Sequence, residues 1–227
     1  MSPRQVSAGR DPDESKRLLS SLLERYGHTP DSGPARLFEG YLALLDRWGR
    51  RINLVGSLEW GVLGPLFEEG LWCARFYPPG AARHLDVGSG AGFPAIPLCL
   101  ALPRLRLELL ESRRRRAAFL ETVAAELCPG RAAVREARLA AWLGARREPG
   151  EWEVVSWKGL ALSSADFGRL CELSRPGVQF WLFHGRNLPL EDPDMVRTLR
   201  FHRRESCPAR AGWQLSIYEK QEEACFT

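Results

Sequence analysis

The spacing of apolar residues divides the chain into two parts near residue 78. In the first part apolar residues recur every three or four positions, at Leu37, Tyr41, Leu45, Trp48 and Ile52. This spacing predicts an amphipathic helix. A leucine-rich stripe within residues 16–26 predicts an earlier helix, and the breaker-rich segment 28–34 separates the two. We expect a disordered tail over residues 1–12 and a helical region over residues 13–78.

From residue 83 onward, short apolar runs alternate with helical stretches. The predicted strands cover residues 84–87, 105–110, 132–135, 153–156 and 178–183. Helices are predicted after Pro94 and over residues 114–127, 139–143 and 164–173. This alternation is typical of βαβ units around a parallel sheet. The final runs, 199–205 and 213–219, predict an antiparallel pair at its edge. The sequence therefore predicts an α/β fold over residues 79–227, with a doubly wound, mostly parallel sheet.

Composition places the chain among globular proteins. Of its 227 residues, 44% are hydrophobic and 26% are charged, close to the usual values. No apolar run reaches the roughly 18 residues of a membrane span, and the polar N-terminus lacks the apolar region of a signal peptide. We expect no membrane contact and a cytoplasmic location. The six cysteines are scattered without a CxxC pair, so no metal site is expected.

Arginine dominates the basic residues. Among 32 basic residues only Lys16, Lys158 and Lys220 are lysine, and the net charge is +4. Residues 113–116 are four consecutive arginines, and a second cluster contains Arg197, Arg200, Arg203 and Arg204. The guanidinium group matches the geometry of phosphate. Each cluster either contacts RNA phosphates or forms an ordinary solvated surface, and the sequence leaves both interpretations open.

A glycine-rich turn is the most informative motif. The run Asp86-Val-Gly88-Ser-Gly90-Ala-Gly92-Phe93-Pro94 follows the first predicted strand and leads into a helix whose first turn suits Pro94. Glycine permits a positive φ and close backbone approach, and the amides of the following helix point at whatever lies above the loop. This arrangement predicts a ligand-binding turn.

Two cofactor classes compete for this turn. The pattern DxGxGxG differs from the dinucleotide fingerprint GxGxxG, whose third glycine lies one residue later. The spacing favours S-adenosylmethionine, which has no pyrophosphate to place over the helix. A nucleotide-dependent oxidoreductase and a plain tight turn are the weaker alternatives. With either cofactor, Glu111 at the end of the second strand is expected to hydrogen-bond ribose hydroxyls.

At these residues the sequence is similar to a known family. HLDVGSGAGFPAIP (residues 84–97) and LLESRRRRAAFL (residues 109–120) resemble the bacterial 16S ribosomal RNA guanine-N7 methyltransferase family, also called glucose-inhibited division protein B. The resemblance begins at YLALLDRWGRRINL (residues 41–54) and extends to about residue 187. It implies a class I methyltransferase fold with an N-terminal helical cap and S-adenosylmethionine as cofactor. It also implies a monomeric enzyme whose partner is 16S rRNA or the small ribosomal subunit.

The resemblance also supplies candidate site residues. The predicted cofactor-binding residues are Asp86, Gly88, Gly90, Phe93, Glu111, Leu139, Ala140 and Lys158. In this set Leu139 and Ala140 correspond to the family's adenine-contacting pair. The predicted catalytic set is Lys158, Asn53 and His184. Asn53 is expected to shape the substrate pocket. Trp157, beside Lys158, is a candidate for stacking on a base.

The chain departs from the family pattern at four places. Lys158 stands for the arginine of an SRA motif, His184 for the lysine of an LKG motif, and Val55 for the threonine of INLT. The family's His-Phe-x-Asp-Ser run is reduced to Leu66-Phe67-Glu68-Glu69-Gly70. Guanine N7 has an available lone pair, so its methylation needs no general base. We therefore predict a guanine-N7 rRNA methyltransferase. The alternative is a divergent homologue that binds S-adenosylmethionine or RNA but has lost or changed the activity.

Overall fold

The N-terminal part of the protein is helical, as predicted. The computed structural model describes residues 12–30, 32–185 and 199–222. Helix α1 spans Pro12–Arg25, α2 spans Gly33–Gly49, α3 spans Trp60–Cys73, and a 3-10 turn follows at Ala74–Phe76. Pro12 belongs to α1, so the tail predicted over residues 1–12 extends one residue too far. The rest of that tail lies outside the described residues.

The remainder forms one mixed sheet with helices on both faces. Its strands are β1 Arg83–Val87, β2 Arg106–Glu111, β3 Ala132–Glu136, β4 Val154–Lys158, β5 Gln179–His184, β6 Leu199–Ser206 and β7 Gln214–Lys220. The helices are α4 Ala95–Ala101, α5 Arg114–Leu127, α6 Leu139–Ala145 and α7 Ser164–Glu172. Every predicted strand is present within two residues at each end. The α/β prediction is confirmed.

The strand order places a ligand site at one edge of the sheet. The order is β3-β2-β1-β4-β5-β7-β6, and only the pairings of β7 with β5 and β6 are antiparallel. Because β1 lies between β2 and β4, the direction of winding reverses at β1. Doubly wound sheets bind ligands at such a switch point, outside the carboxyl ends of the strands. The glycine turn after β1 and Lys158 at the end of β4 both lie there.

Each face of the sheet has its own hydrophobic core. On one face, α1 to α5 pack together around aromatic residues that include Tyr41, Phe67, Phe93 and Phe119. This core is continuous from the helical cap to the sheet, so packing does not break near residue 78, and the domain boundary there stays a prediction. On the other face Trp157 packs against Phe167 and Phe180 and is 2% exposed. The interpretation of Trp157 as a base-stacking residue is therefore wrong.

A chain of buried polar side chains joins β1 to β4 beneath the glycine turn. His84 Nε2–H donates to Ser156 Oγ at 2.7 Å, and the Ser156 hydroxyl donates to Asp86 Oδ1 at 2.6 Å. The tautomer of His84 follows from this pattern. Burial lowers the pKa of His84 to about 3 and raises the pKa of Asp86 to about 6, although the Ser156 hydroxyl opposes the second shift.

The helical cap contacts the turn at Gly92. The Tyr41 hydroxyl donates to the carbonyl of Ala91, and Gly92 has a φ of +90°. A Cβ on Gly92 would lie 2.6 Å from Ile96 Cγ1 and 3.1 Å from the Tyr41 hydroxyl. At Gly90, whose φ is +58°, the nearest atom to such a Cβ would be 3.7 Å away. Close packing therefore requires glycine at position 92, whereas a Cβ at position 90 would meet only ordinary van der Waals contacts.

We expect Gly92→Ala to lower the free energy of unfolding by more than about 2 kcal/mol, because left-handed strain adds to steric overlap with Ile96 and Tyr41. Gly90→Ala is the matched control, since it has the strain without the overlap. Urea denaturation of both variants measures the difference. Equal losses of stability would contradict this assignment of Gly92 to packing.

We expect the ionisation of Asp86 to destabilise the fold. Its pKa rises from 3.8 to about 6 on folding, so the stability present below pH 3.8 is lost as the pH rises through 6. Asp86→Asn removes this ionisation while its amide oxygen still accepts from Ser156. Relative to the parent, the free energy of unfolding of the variant should rise by up to about 3 kcal/mol between pH 4 and 7. Urea unfolding across this range tests it, and a pH-independent difference would refute it.

Candidate cofactor and substrate site

The turn after β1 has the open backbone that its glycines predict. Gly88, Gly90 and Gly92 have φ values of 72°, 58° and 90°. Pro94 is the residue that caps α4 rather than a member of its first turn, so that prediction is off by one position. The loop nevertheless enters the helix tightly, because the Ile96 N–H donates to the Gly92 carbonyl at 2.7 Å.

Glu111 connects the turn to the next strand. Its Oε2 accepts the Gly90 N–H at 2.8 Å, and its Oε1 accepts the Arg113 N–H at 2.7 Å. The residue is 5% exposed. A carboxylate offers about four lone-pair positions, so each oxygen retains room for a further donor. The structure thus places Glu111 beside the turn, and its contact with ribose hydroxyls stays a prediction.

Three other predicted cofactor residues lie in or beside the same turn. Asp86 lies beneath it, with a side chain already bonded to Ser156. Phe93 is 9% exposed, and its ring centroid lies 5.3 Å from those of both Tyr41 and Phe67. Gly88 is exposed, and a Cβ there would lie 3.1 Å from Leu160 Cδ2. Contact of Asp86, Gly88 and Phe93 with a cofactor stays a prediction.

Lys158 is held by a carboxylate from the helical cap. Its Nζ donates to Oε2 of Glu69 in α3, and the Trp213 indole N–H donates to the other oxygen, Oε1, at 2.7 Å. The side chains of Lys158 and Glu69 are 16% and 1% exposed. The ammonium also lies 5.8 Å from the centroid of the Trp213 ring. A buried charge needs such partners, because desolvation costs several kcal/mol per ion.

His184 is on the other face of the sheet from Lys158. Phe183 pairs with Lys158, and successive residues of a strand point to opposite faces. The Nδ1–H of His184 donates to the Gly185 carbonyl at 2.6 Å, and its Nε2 accepts from Ser216 Oγ at 2.9 Å. Burial lowers the pKa of His184, with a smaller effect from the charge of Arg204. The structure does not bring Lys158 and His184 together, and a catalytic role for His184 stays a prediction.

The last three candidate residues lie at the outer edge of the candidate site. Leu139 and Ala140 begin α6, directly after the carboxyl end of β3, and are half-buried and exposed. Asn53 is exposed in the loop after α2, where its carbonyl accepts from Arg116 Nη2 at 3.1 Å. Their contacts with adenine or substrate stay predictions.

Glu69, Trp213 and Leu160 are site residues that sequence reasoning missed. Glu69 has a detectable signal, because it occupies the position of the acidic residue in the family's His-Phe-x-Asp-Ser run. The sequence shows that run as reduced, and Glu69 retains its carboxylate. Trp213 and Leu160 give no comparable signal, since only the fold brings the segments after β6 and β4 to this edge.

Among the described residues, no group of three or more histidine, cysteine or acidic side chains is arranged to hold a metal ion. None of the helices described is long and apolar enough to cross a membrane.

Comparison with known proteins assigns the chain to a family. Residues 35–192, well over half of the chain, match the family described as rRNA small subunit methyltransferase G. Ribosomal RNA small subunit methyltransferase G of Acidiphilium cryptum is 34% identical over 189 residues, covering 82% of this chain and 81% of that protein. The protein of the same name from Alkalilimnicola ehrlichii is 36% identical and covers 80% of each chain.

Solved structures agree on the fold. The putative methyltransferase yhhF from Escherichia coli matches 69% of this chain and 87% of its own, with a TM-score of 0.51 and 18% identity. The mitomycin 7-O-methyltransferase MmcR matches 93% of this chain and 73% of its own, with a TM-score of 0.54 and 15% identity. With a class I methyltransferase sheet and this sequence similarity, the chain belongs to the rRNA small subunit methyltransferase G family.

Proposed function

We propose that this protein is an S-adenosylmethionine-dependent methyltransferase of small-subunit ribosomal RNA, and that it methylates N7 of a guanine. Family membership, together with an open glycine turn at the switch point of the sheet, is the observation that carries the proposal. The choice of N7 follows the sequence resemblance. We further infer that the enzyme works as a monomer in the cytoplasm.

The residues of the turn fit the proposed cofactor. Gly90 has no side chain and a positive φ, and the nearest atom to a Cβ there would be Arg116 Nη1 at 3.7 Å, so a ligand can approach the backbone closely. Glu111 has acceptor positions for two ribose hydroxyls, and Leu139 and Ala140 border the expected adenine position. When bound, S-adenosylmethionine supplies a methyl group made electrophilic by its sulfonium centre.

The proposed acceptor explains why the site needs no general base. Guanine N7 has an in-plane lone pair and carries no proton, so the protein's main task is to align it with the methyl group. Such positioning is worth up to about 7–11 kcal/mol. In keeping with this, Glu69 is already occupied by Lys158 and Trp213, and Asp86 by Ser156. Neither carboxylate is placed to accept a proton from a substrate.

The Glu69–Lys158 pair suits the change of charge in this reaction. N7 methylation leaves a positive charge on the base. An isolated ammonium beside the base would oppose that charge, whereas Glu69 offsets the charge of Lys158. At the same time the Lys158 ammonium can donate to guanine O6, the acceptor next to N7. We therefore propose that Lys158 orients the base and that Glu69 positions Lys158.

A methylation assay on defined RNA tests the proposal. The substrates are 16S rRNA and small ribosomal subunits from a bacterial strain that lacks its own enzyme of this family. After incubation with S-adenosylmethionine, mass spectrometry of the nucleosides should detect new 7-methylguanosine. Calorimetry should show micromolar binding of S-adenosylmethionine and none of NAD.

The two measurements separate the alternatives. Binding of S-adenosylmethionine without new 7-methylguanosine would favour the divergent homologue with lost or changed activity. His184 stands in place of a family lysine, and its side chain lies on the face of the sheet opposite to Lys158. This observation favours the divergent homologue. Binding of NAD in place of S-adenosylmethionine would refute the cofactor assignment.

We expect Glu69→Gln and Lys158→Met each to lower kcat/KM at least tenfold, because each disrupts the pair. Lys158→Met should also lower the free energy of unfolding by about 3–5 kcal/mol, since it leaves the Glu69 charge buried without its cationic partner. The double variant should be more stable than the sum of the two single losses predicts. Urea denaturation and steady-state kinetics measure this cycle. Strict additivity in stability would show that the two charges are not coupled.

A further inference from the structure

We propose that one surface of the protein, formed by Arg51, Arg113, Arg114, Arg115 and Arg116, contacts the phosphate backbone of the substrate RNA. We call it the arginine surface. The inference rests on the proposed function and specifies where the RNA lies relative to the cofactor turn. For the cluster at residues 113–116, RNA contact is thus favoured over an ordinary solvated surface.

The described arginines of the second cluster are already engaged within the protein. At the edge strand β6, Arg200 pairs with Glu219 at 2.9 Å, Arg203 lies 3.8 Å from Glu205, and Arg204 donates to Ser216 Oγ at 3.1 Å. Arg197, the fourth member of that predicted cluster, lies outside the described residues. Phosphate binding there would compete with these internal contacts.

A second basic hollow, at the amino ends of β1 to β3, is compensated in part, although Arg106 on its lining has no side-chain partner among the described residues. It is a cavity of about 450 Å³ in which Arg83 pairs with Glu151 and Arg135 pairs with Glu108. The Arg146 guanidinium lies between two indole rings, 4.6 Å from that of Trp142 and 4.8 Å from that of Trp152. This hollow is also at the edge of the sheet opposite to the cofactor turn.

The arginine surface differs because no acidic side chain among the described residues pairs with it. Arg51, Arg113, Arg114 and Arg115 are exposed, and within the described part of the chain the only hydrogen bond donated by a side chain of the group joins Arg116 Nη2 to the carbonyl of Asn53. The first turn of α5 contains no acidic residue. The cluster therefore has charge that the fold itself does not neutralise, and an external polyanion complements it.

The position of these arginines along α5 strengthens the inference. Arg114, Arg115 and Arg116 form the first turn of a 14-residue helix, and Arg113 is its N-cap. The helix macrodipole is positive at this end, so cations there destabilise the helix. Four arginines at this end are thus unfavourable for the helix, whereas a bound phosphate backbone would relieve the repulsion.

The arginine surface adjoins the proposed reaction site. Arg116 Nη1 lies 3.7 Å from the position of a Cβ on Gly90, and Arg113 follows Glu111 by two residues. Through Asn53 the surface is continuous with the loop of residues 49–58, which lines an open cavity of about 470 Å³ that includes Arg51. A strand bound here would pass beside the turn, where its base can enter the site.

The test compares two triple variants in binding to a naked 16S rRNA transcript. R51Q/R114Q/R115Q removes three charges from the arginine surface and leaves Arg113 and Arg116, which border the cofactor residues. R104Q/R106Q/R175Q is the control, because these arginines are exposed, have no side-chain partner among the described residues and lie at the amino ends of β2 and β5. Filter binding at 50 to 300 mM KCl gives the salt dependence of each.

We expect the first triple variant to bind the transcript at least tenfold more weakly at 150 mM KCl. Its plot of log K against log salt should be shallower by about two, because each lost phosphate contact lowers the slope by about 0.7–0.9. The control should match the parent in both quantities. Calorimetric affinity for S-adenosylmethionine should stay within threefold for both variants, and the melting temperature of the first should be unchanged or higher.

Two outcomes would overturn the inference. One is an unchanged salt slope in R51Q/R114Q/R115Q, and the other is an equal loss of affinity and slope in the control. Failure of the proposed function is a separate result. If the parent binds the transcript through the arginine surface but yields no 7-methylguanosine, the surface stands and the reaction is wrong. If the parent methylates RNA with an unchanged slope in the first variant, the reaction stands and the surface is wrong.

Discussion

The carboxylate of Glu111 is the contact on which the site depends. It accepts one N–H from the glycine turn and one from the residue that caps α5, so a single buried group joins β1, β2 and α5 at the carboxyl edge of the sheet. The three glycines of the turn have positive φ, and the Glu111 bond fixes that backbone in place. The same bond places the arginines of α5 beside the turn. The proposed cofactor contacts and the proposed RNA contacts thus share one structural link.

The helical cap and the sheet are connected by charge as well as by packing. Glu69 comes from the cap, Lys158 from β4 and Trp213 from the segment before β7, and the three meet in one hydrogen-bonded cluster. Two departures from the family pattern, which look independent along the chain, are therefore in contact. Glu69 keeps an acidic side chain where the family has one, and Lys158 keeps a basic side chain where the family has one. Taken as a pair, these changes weigh less against activity than they do as separate losses.

Much of the fold was predictable because its signals are local. The period of apolar residues distinguishes the helices from the strands, and short apolar runs between helical segments indicate a parallel sheet. Helix α3 was not singled out, since its buried residues, which include Leu63, Phe67, Glu69, Gly70 and Leu71, contact the cap on one side and α4 on the other and form no single stripe. The glycine pattern and Glu111 were also found from the sequence, because ligand-binding turns have a fixed order of residues.

What the sequence by itself determined is the class of sheet, the glycine turn, its acidic partner and the family. What only the tertiary structure decided is which side chains meet. Alternation along β4 and β5 separates His184 from Lys158 and buries Trp157, and the strand order brings Trp213 to Glu69 from 144 residues away. Spacing along a chain records local geometry, whereas the face on which a side chain emerges and its distant partners depend on how the strands pair.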